Sequence, residues 1–376
     1  IALATGMDGA CEERIKAGLE YALNQAASAG HTCVPEELLL RETVRLLQVS
    51  SSVVNDVFQK LLAEDMLRTE EVGGLRLIYP EYLYQAEVQT SKRLLKLRDM
   101  ADALEKVNVD KIIGQWESEA GIVLAEAQKE AIHASLKYGV FVLTGGPGTG
   151  KTTVIKGILA VLEKAGCRIL LAAPTGRAAR RLADSSGHPA VTVHRLLEYT
   201  PNGGGFNFGK NDGDPLDADA IIIDEASMLD ITLTYHLLKA VQGGCRLIFV
   251  GDVDQLPSVG AGSVLKDIIR SQKMPVVRLE NVFRQAEISP IVRNAHRINR
   301  GQMPEWEPSS DFTFVEIENE FDAAEYVANI YARLTQQSDW QSVQVLSPMH
   351  KNPCGVQNLN HLLQQRINPP ELNKSE

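Results

Sequence analysis

The stretch Gly145-Gly146-Pro147-Gly148-Thr149-Gly150-Lys151-Thr152, with Thr153 behind it, decides how this chain is read. Its spacing is G-x-x-x-x-G-K-[ST]. It directly follows the apolar run Val140 to Thr144 and opens a segment of helical periodicity, the strand, loop and helix order a phosphate-binding loop requires. The glycines let successive backbone N–H groups turn inward around phosphate oxygens. Lys151 then supplies charge to the β- and γ-phosphates of a nucleotide, and Thr152 a hydroxyl to Mg²⁺.

Outward from this loop, apolar runs recur at Arg168 to Ala173, Ala220 to Asp224, Arg246 to Val250 and Val276 to Leu279. Each has the unbroken apolar character of a parallel strand buried on both faces, and helical patterns separate most of them. An α/β fold built on a doubly wound parallel sheet is the expectation. The run ending Ile223-Asp224-Glu225 closes on two adjacent carboxylates, which are costly at a strand end unless a cation or hydrogen bonds compensate. Asp224 is suited to holding Mg²⁺ through water, and Glu225 to activating the attacking water. Gln255, in the loop after the next strand, is placed to orient that water or to sense the γ-phosphate. Arg284 is a candidate arginine finger, and the Gln128 amide is a candidate reader of adenine. The Gly- and Asn-rich stretch between Leu197 and Leu216 is too irregular for a helix and reads as a projecting hairpin.

Upstream, apolar residues fall at helical spacing in Ile15 to Ala26, Glu36 to Leu47 and Val53 to Leu62. Two short strand-like runs around Gly73-Gly74 follow, giving the outline of a winged helix. Ser50 to Glu64 would be its recognition helix, but Lys60 faces Asp56 and Glu64 there, so a structural or protein-contact role is favoured over reading duplex DNA. A long helix from Tyr82 to Lys106 leads into the next domain. Beyond Arg284 a second alternation is expected: helix Pro290 to Arg300, strand Phe312 to Ile317, helix Ala323 to Gln336, strand Val343 to Leu346 and helix Gly355 to Arg366.

The 376 residues allow two or three domains, and a 44% hydrophobic, 23% charged composition is that of an ordinary globular protein. No stretch has the roughly eighteen apolar residues of a membrane span. A net charge of −10 argues against coating nucleic acid with the whole surface. Basic runs still occur locally, at Arg177, Arg180 and Arg181 and again from Lys266 to Arg300, as a single-strand track requires. Five well-separated cysteines without CxxC pairs read as reduced, mostly buried thiols with neither disulfide nor metal.

Together, GGPGTGKTT (145–153), APTGRAARRL (173–182), TVHRLL (192–197), DEASM (224–228), VGDVDQLPSVGAG (250–262) and VFRQA (282–286) resemble a superfamily 1 DNA helicase of the RecD-like, 5′-to-3′ group, most nearly its stand-alone bacterial members. The resemblance implies a P-loop NTPase with RecA-like motor domains, hydrolysing ATP with Mg²⁺ in DNA repair or recombination in the bacterial cytoplasm. By it, Gln128 reads adenine. Gly146, Pro147, Gly148, Thr149, Gly150, Lys151, Thr152 and Thr153 bind phosphate, Thr152 and Asp224 hold the metal, and Lys151, Asp224, Glu225, Gln255 and Arg284 serve catalysis and coupling. Pro174, Thr175, Gly176, Arg177, Thr192 and His194 match motifs that touch single-stranded DNA. The hairpin, about residues 198–216, matches the pin that meets duplex junctions, with Phe206 and Phe208 on it and packing within the hairpin the favoured use of those rings. The expected domains are a helical, winged-helix-like region (1–108), a first motor domain (109–283) and the beginning of a second (284–376). The later family motifs are not found, so the chain is expected to be a segment cut at both ends. A nucleotide-gated DNA-binding or assembly module without unwinding, or the RecD subunit of a recombination nuclease, stands as the alternative. No protein partner is legible, and no membrane is implied.

Overall fold

The computed structural model describes residues 8–100, 107–202, 205–280, 289–306, 311–336 and 339–369, which form two compact units, Ile1–Gln302 and Met303–Glu376. The first unit opens with three helices, α1 (Glu12–Ser28), α2 (Glu36–Leu47) and α3 (Ser51–Ala63). Ile15, Leu19 and Leu23 form one stripe of α1 at four-residue spacing and meet Leu39 of α2 and Val54, Phe58 and Leu61 of α3 in a closed core. Strands β1 (Val34–Pro35), β2 (Leu67–Val72) and β3 (Leu75–Pro80) make a small antiparallel sheet in the order β1-β3-β2. Its hairpin turns at Gly73-Gly74, where both φ angles are positive, as a two-residue turn between twisted strands demands. The winged-helix outline is therefore present, while the cation of α3, Lys60, pairs with Glu12 of α1. Helix α4 (Glu81–Met100) then runs onto the second part of the unit and packs along α10 (Ile231–Ala240).

That second part is a six-stranded, wholly parallel sheet in the order β11-β4-β10-β9-β5-β6. Its strands are β4 (Val140–Gly145), β5 (Ile169–Ala173), β6 (Ala190–Thr192), β9 (Ala220–Ile223), β10 (Arg246–Gly251) and β11 (Val276–Leu279). The unbroken apolar runs follow from strand geometry, because successive side chains leave opposite faces and here both faces are covered. Phe141 and Leu143, Ile222, and Ile248 and Val250 enter one core under α5 (Val109–Ala120), α6 (Glu126–Lys137) and α7 (Lys151–Lys164). Val140 and Val142, Ile221 and Ile223, and Leu247 and Phe249 enter the other, under α4, α10 and α11 (Val264–Ser271). Strand β6, three half-buried residues long, was not expected from the sequence.

The expected hairpin forms as β7 (Tyr199–Asn202) and β8 (Gly205–Phe208), paired antiparallel with Tyr199 opposite Phe208. Its base is tied by the Gly209 and Lys210 amides donating to the carbonyls of Glu198 and Leu197. The Phe208 ring is buried among His194, Tyr199 and His236, so it packs rather than projects.

In the second unit, helices Glu320–Thr335 and Val356–Ile367 pack through buried Ala324, Ala328 and Leu359, and Arg366 pairs with Glu325. The strands expected at 312–317 and 343–346 do not form. A strand requires a ladder partner, none is present among the unit's described residues, and Phe314, Val315 and Leu346 stay exposed. The five cysteines are free, but only Cys245 is buried, the other four being half-exposed, which corrects the expectation of mostly buried thiols. Among the described residues no helix is long and apolar enough to cross a membrane.

Candidate active site

The segments singled out by the sequence converge on the carboxyl edge of the parallel sheet. Strand β4 ends at Gly145, and the loop turns into α7 at Lys151. Gly148 and Gly150 have φ of 76° and 84°, a region closed to most side chains, which is why the loop needs glycine there. The Thr149 hydroxyl donates to the Gly146 carbonyl at 2.9 Å. Lys151 Nζ donates to the carbonyls of Gly145 (2.6 Å) and Gly146 (3.0 Å). Burial lowers the Lys151 pKa, opposed by the charges of Asp252, Glu225 and Asp224 in that order. Thr152 and Thr153 occupy the first turn of α7.

Asp224 and Glu225 follow β9. The Asp224 amide donates to Ala172 of β5, and its Oδ1 accepts the Glu225 amide at 2.9 Å. Burial raises the Asp224 pKa first, and the neighbouring Glu225 charge adds to it, while the Glu225 amide, Lys151 and Arg181 lower it. Glu225 has φ of 53°, a left-handed conformation costing about 1 kcal/mol or more for a residue with a Cβ. Its Oε2 is buried without a hydrogen-bond partner among the described residues. A strained backbone presenting an unpaired, buried carboxylate oxygen is unfavourable for stability alone and matches a group held ready for a proton or cation. The hydroxyl and carboxylate oxygens of Thr152 and Asp224 are the hard donors that Mg²⁺ prefers.

Asp252, which follows β10, had no assigned role in the sequence reading. It is 5% exposed, it accepts the Asp254 amide at 3.0 Å, and it exerts the largest charge effect on Lys151. Its prominence comes from strand order, since β10 lies directly beside β4. Its local signal is only an acid directly after an apolar strand. Gln255 is exposed and lines a cleft of about 600 Å³ with Thr144, Gly145, Gly146, Asp252 and Arg278. Gln128 lies beside the loop but is 2% exposed, with its Nε2 donating to the Thr149 carbonyl (3.4 Å) and its Oε1 accepting the Ala125 amide (3.0 Å). Its amide thus fastens the start of α6 to the phosphate loop. Arg284 lies outside the described residues.

The segments expected to meet DNA lie on the neighbouring strands of the same edge. Pro174 to Arg177 join β5 to α8 (Gly176–Ser186), and Thr192 ends β6, paired with Ala173. Thr175 caps α8 and Thr192 caps α9 (Val193–Leu196) through their hydroxyls, accepting the amides of Ala178 and Arg195. His194 is half-buried and meets the Tyr199 ring edge-on at 5.5 Å, against the hairpin's first strand.

A parallel sheet with a phosphate loop after one strand and acids after two others, half-buried Asp224 and Glu225 and buried Asp252, all at its carboxyl edge, defines a P-loop NTPase of RecA-like fold. The model of the AAA domain family matches residues 128–261. The ATP-dependent RecD2 DNA helicase of Deinococcus radiodurans is 35% identical over 368 residues, 95% of this chain and 50% of that protein. The RecBCD enzyme subunit RecD of Mycobacterium tuberculosis is 44% identical over 167 residues, 38% of this chain and 28% of that protein. The corresponding subunit of Mycolicibacterium smegmatis is 41% identical over 167 residues, 38% of this chain and 30% of that protein. Over nearly its whole length the chain is similar to a RecD-type DNA helicase. It spans about half the length of the Deinococcus relative and less of the others.

Proposed function

We propose that this chain carries the first motor domain of an ATP-dependent DNA helicase that couples hydrolysis to movement along single-stranded DNA and to unwinding at duplex junctions. The observation that carries the reading is that the charges of Asp252, Glu225 and Asp224 all act on Lys151, while Glu225 Oε2 is buried with no hydrogen-bond partner among the described residues. Backbone N–H groups of Gly146 to Gly150 and the Lys151 ammonium receive the phosphates of ATP. Thr152 and Asp224 hold Mg²⁺, whose charge offsets that of the phosphates. Glu225 takes the proton of the attacking water. Gln255 and Arg284 respond to the γ-phosphate, and Gln128 fastens the loop, its reading of adenine resting on the family likeness.

Pro174 to Arg177, Thr192 and His194 form the single-strand contact surface, with the β7–β8 hairpin as the pin beside it. Residues 1–108 and 109–283 are then the N-terminal and first motor domains, and residues 284–376 belong to the start of a second. A bacterial cytoplasm and a repair or recombination process suit the named relatives, and 5′-to-3′ polarity rests on that likeness. Similarity to the RecD2 helicase runs over 95% of the chain and to the RecBCD subunit over 38%, which favours an unwinding enzyme working alone over a nuclease-complex subunit.

The test is unwinding of 5′-tailed and 3′-tailed duplexes by the full-length protein with ATP and Mg²⁺. Displacement from the 5′-tailed substrate alone is expected. DNA binding that responds to nucleotide without displacement from either substrate would favour the assembly-module reading.

A further inference from the structure

The Pro290–Asn299 helix lays one side chain on the phosphate loop. A Cβ added to Gly146 would stand 2.9 Å from Cε1 of His296, so the imidazole rests directly on that glycine. The Nε2 of the same ring is buried and has no hydrogen-bond partner among the described residues. Gly146 is also the residue whose carbonyl accepts Lys151 Nζ at 3.0 Å and the Thr149 hydroxyl at 2.9 Å. An imidazole and an ammonium therefore meet the same loop residue. His296 shares the cleft of about 600 Å³ with Thr144, Pro147, Asp252 and Gln255. Leaving a polar ring atom buried and unpaired is unfavourable, and such an atom in a native protein calls for a functional partner such as a ligand, a water or an ion.

We infer that His296 is a nucleotide-contacting residue whose Nε2–H donates to the terminal phosphate of a bound nucleoside triphosphate. The geometry singles out the terminal phosphate because Lys151, the residue that serves the β- and γ-phosphates, reaches the loop at this same glycine. The inference rests on the reading of residues 145–152 as a triphosphate site, and it adds a contact that neither the sequence motifs nor the family likeness assigns. It also accounts for glycine at 146, since a side chain there would displace the ring.

The test compares binding of a non-hydrolysable ATP analogue and of ADP by the full-length protein, by calorimetric titration with Mg²⁺. His296→Ala is expected to weaken the analogue roughly ten-fold, the scale of one hydrogen bond to a charged group, and ADP less than about three-fold. His296→Gln, which keeps a donor, is expected to recover part of the loss. Equal affinities of the wild type and His296→Ala for both nucleotides would overturn the inference and leave the triphosphate site standing. Equal loss of both nucleotides with a lowered melting temperature would make His296 a packing residue and overturn it as well. Failure of the wild type to bind either nucleotide would remove both the inference and the function it rests on.

Discussion

Gly251→Ala is a small change whose consequences follow from the contacts around one strand end. Gly251 ends β10, and a Cβ there would lie 2.9 Å from Leu265 Cδ2, 3.1 Å from the Ser227 amide nitrogen and 3.2 Å from that of Ala226. The leucine methyl can swing away. The two amides cannot, because they belong to the backbone turn that directly follows Asp224 and Glu225. Relief of the contact therefore pushes that turn outward by a few tenths of an ångström, with an overpacking cost of about 1–3 kcal/mol. At about 2–4 °C for each kcal/mol in a domain of this size, the melting temperature should fall by several degrees. Glu225 already sits at φ of 53° with its Oε2 buried and unpaired among the described residues, so its carboxylate has little slack to absorb the shift. Catalytic geometry is sensitive at this scale, and we expect ATP turnover at saturating nucleotide to fall about ten-fold. Nucleotide affinity should change by less than about three-fold, because Lys151 and the loop hang from β4 and α7 and not from the displaced turn. The assay is steady-state ATP hydrolysis with single-stranded DNA, beside nucleotide titration and a melting curve. A melting decrease with unchanged turnover would refute the claim that this turn positions the reacting carboxylate.

Two further outcomes follow from other contacts. Arg93 of α4 grips both carboxylate oxygens of Asp212, just past the hairpin, at 2.8 Å each, bracing the hairpin's base against the connector helix. At about 1 kcal/mol for a part-exposed pair, Arg93→Ala and Asp212→Ala should each slow unwinding a few-fold and spare DNA-stimulated hydrolysis, with no added loss in the double variant; additive losses would show that the pair does not act as a unit. His188 contacts Glu163 at 2.6 Å, and this hydrogen bond raises the imidazole pKa above its ordinary 6.5. Its stabilisation is therefore complete below about pH 6.5 and is lost as the pH rises through the raised value, so the melting difference between wild type and His188→Gln should shrink from pH 6 to about pH 8.5. A difference independent of pH would contradict it.

The features legible in the sequence were those whose cause is local. Residues 145–152 declare a loop because backbone conformation and spacing are written in the glycines themselves, and the strands around them declare burial on both faces through unbroken apolar runs. Strand β6 carried too few residues, none of them buried, for periodicity to register. The runs at 312–317 and 343–346 had strand character but lacked a ladder partner, which is a non-local condition. The same limit hid Asp252, whose hold on Lys151 depends on β10 lying beside β4, and His296, which reaches the loop from a helix about 150 residues away. Gln128 accepts the Ala125 amide three residues away, a local helix-capping contact, but it reaches Thr149 through a tertiary approach that spacing does not encode.

The central claim is that Glu225, the half-buried acid after β9, drives nucleotide hydrolysis. Its most direct test is DNA-stimulated ATP turnover by full-length Glu225→Gln. A positioned general base contributes about 10²–10⁴-fold, so the variant should bind nucleotide as the wild type does and lose turnover by that factor. Wild-type turnover in Glu225→Gln would contradict the account.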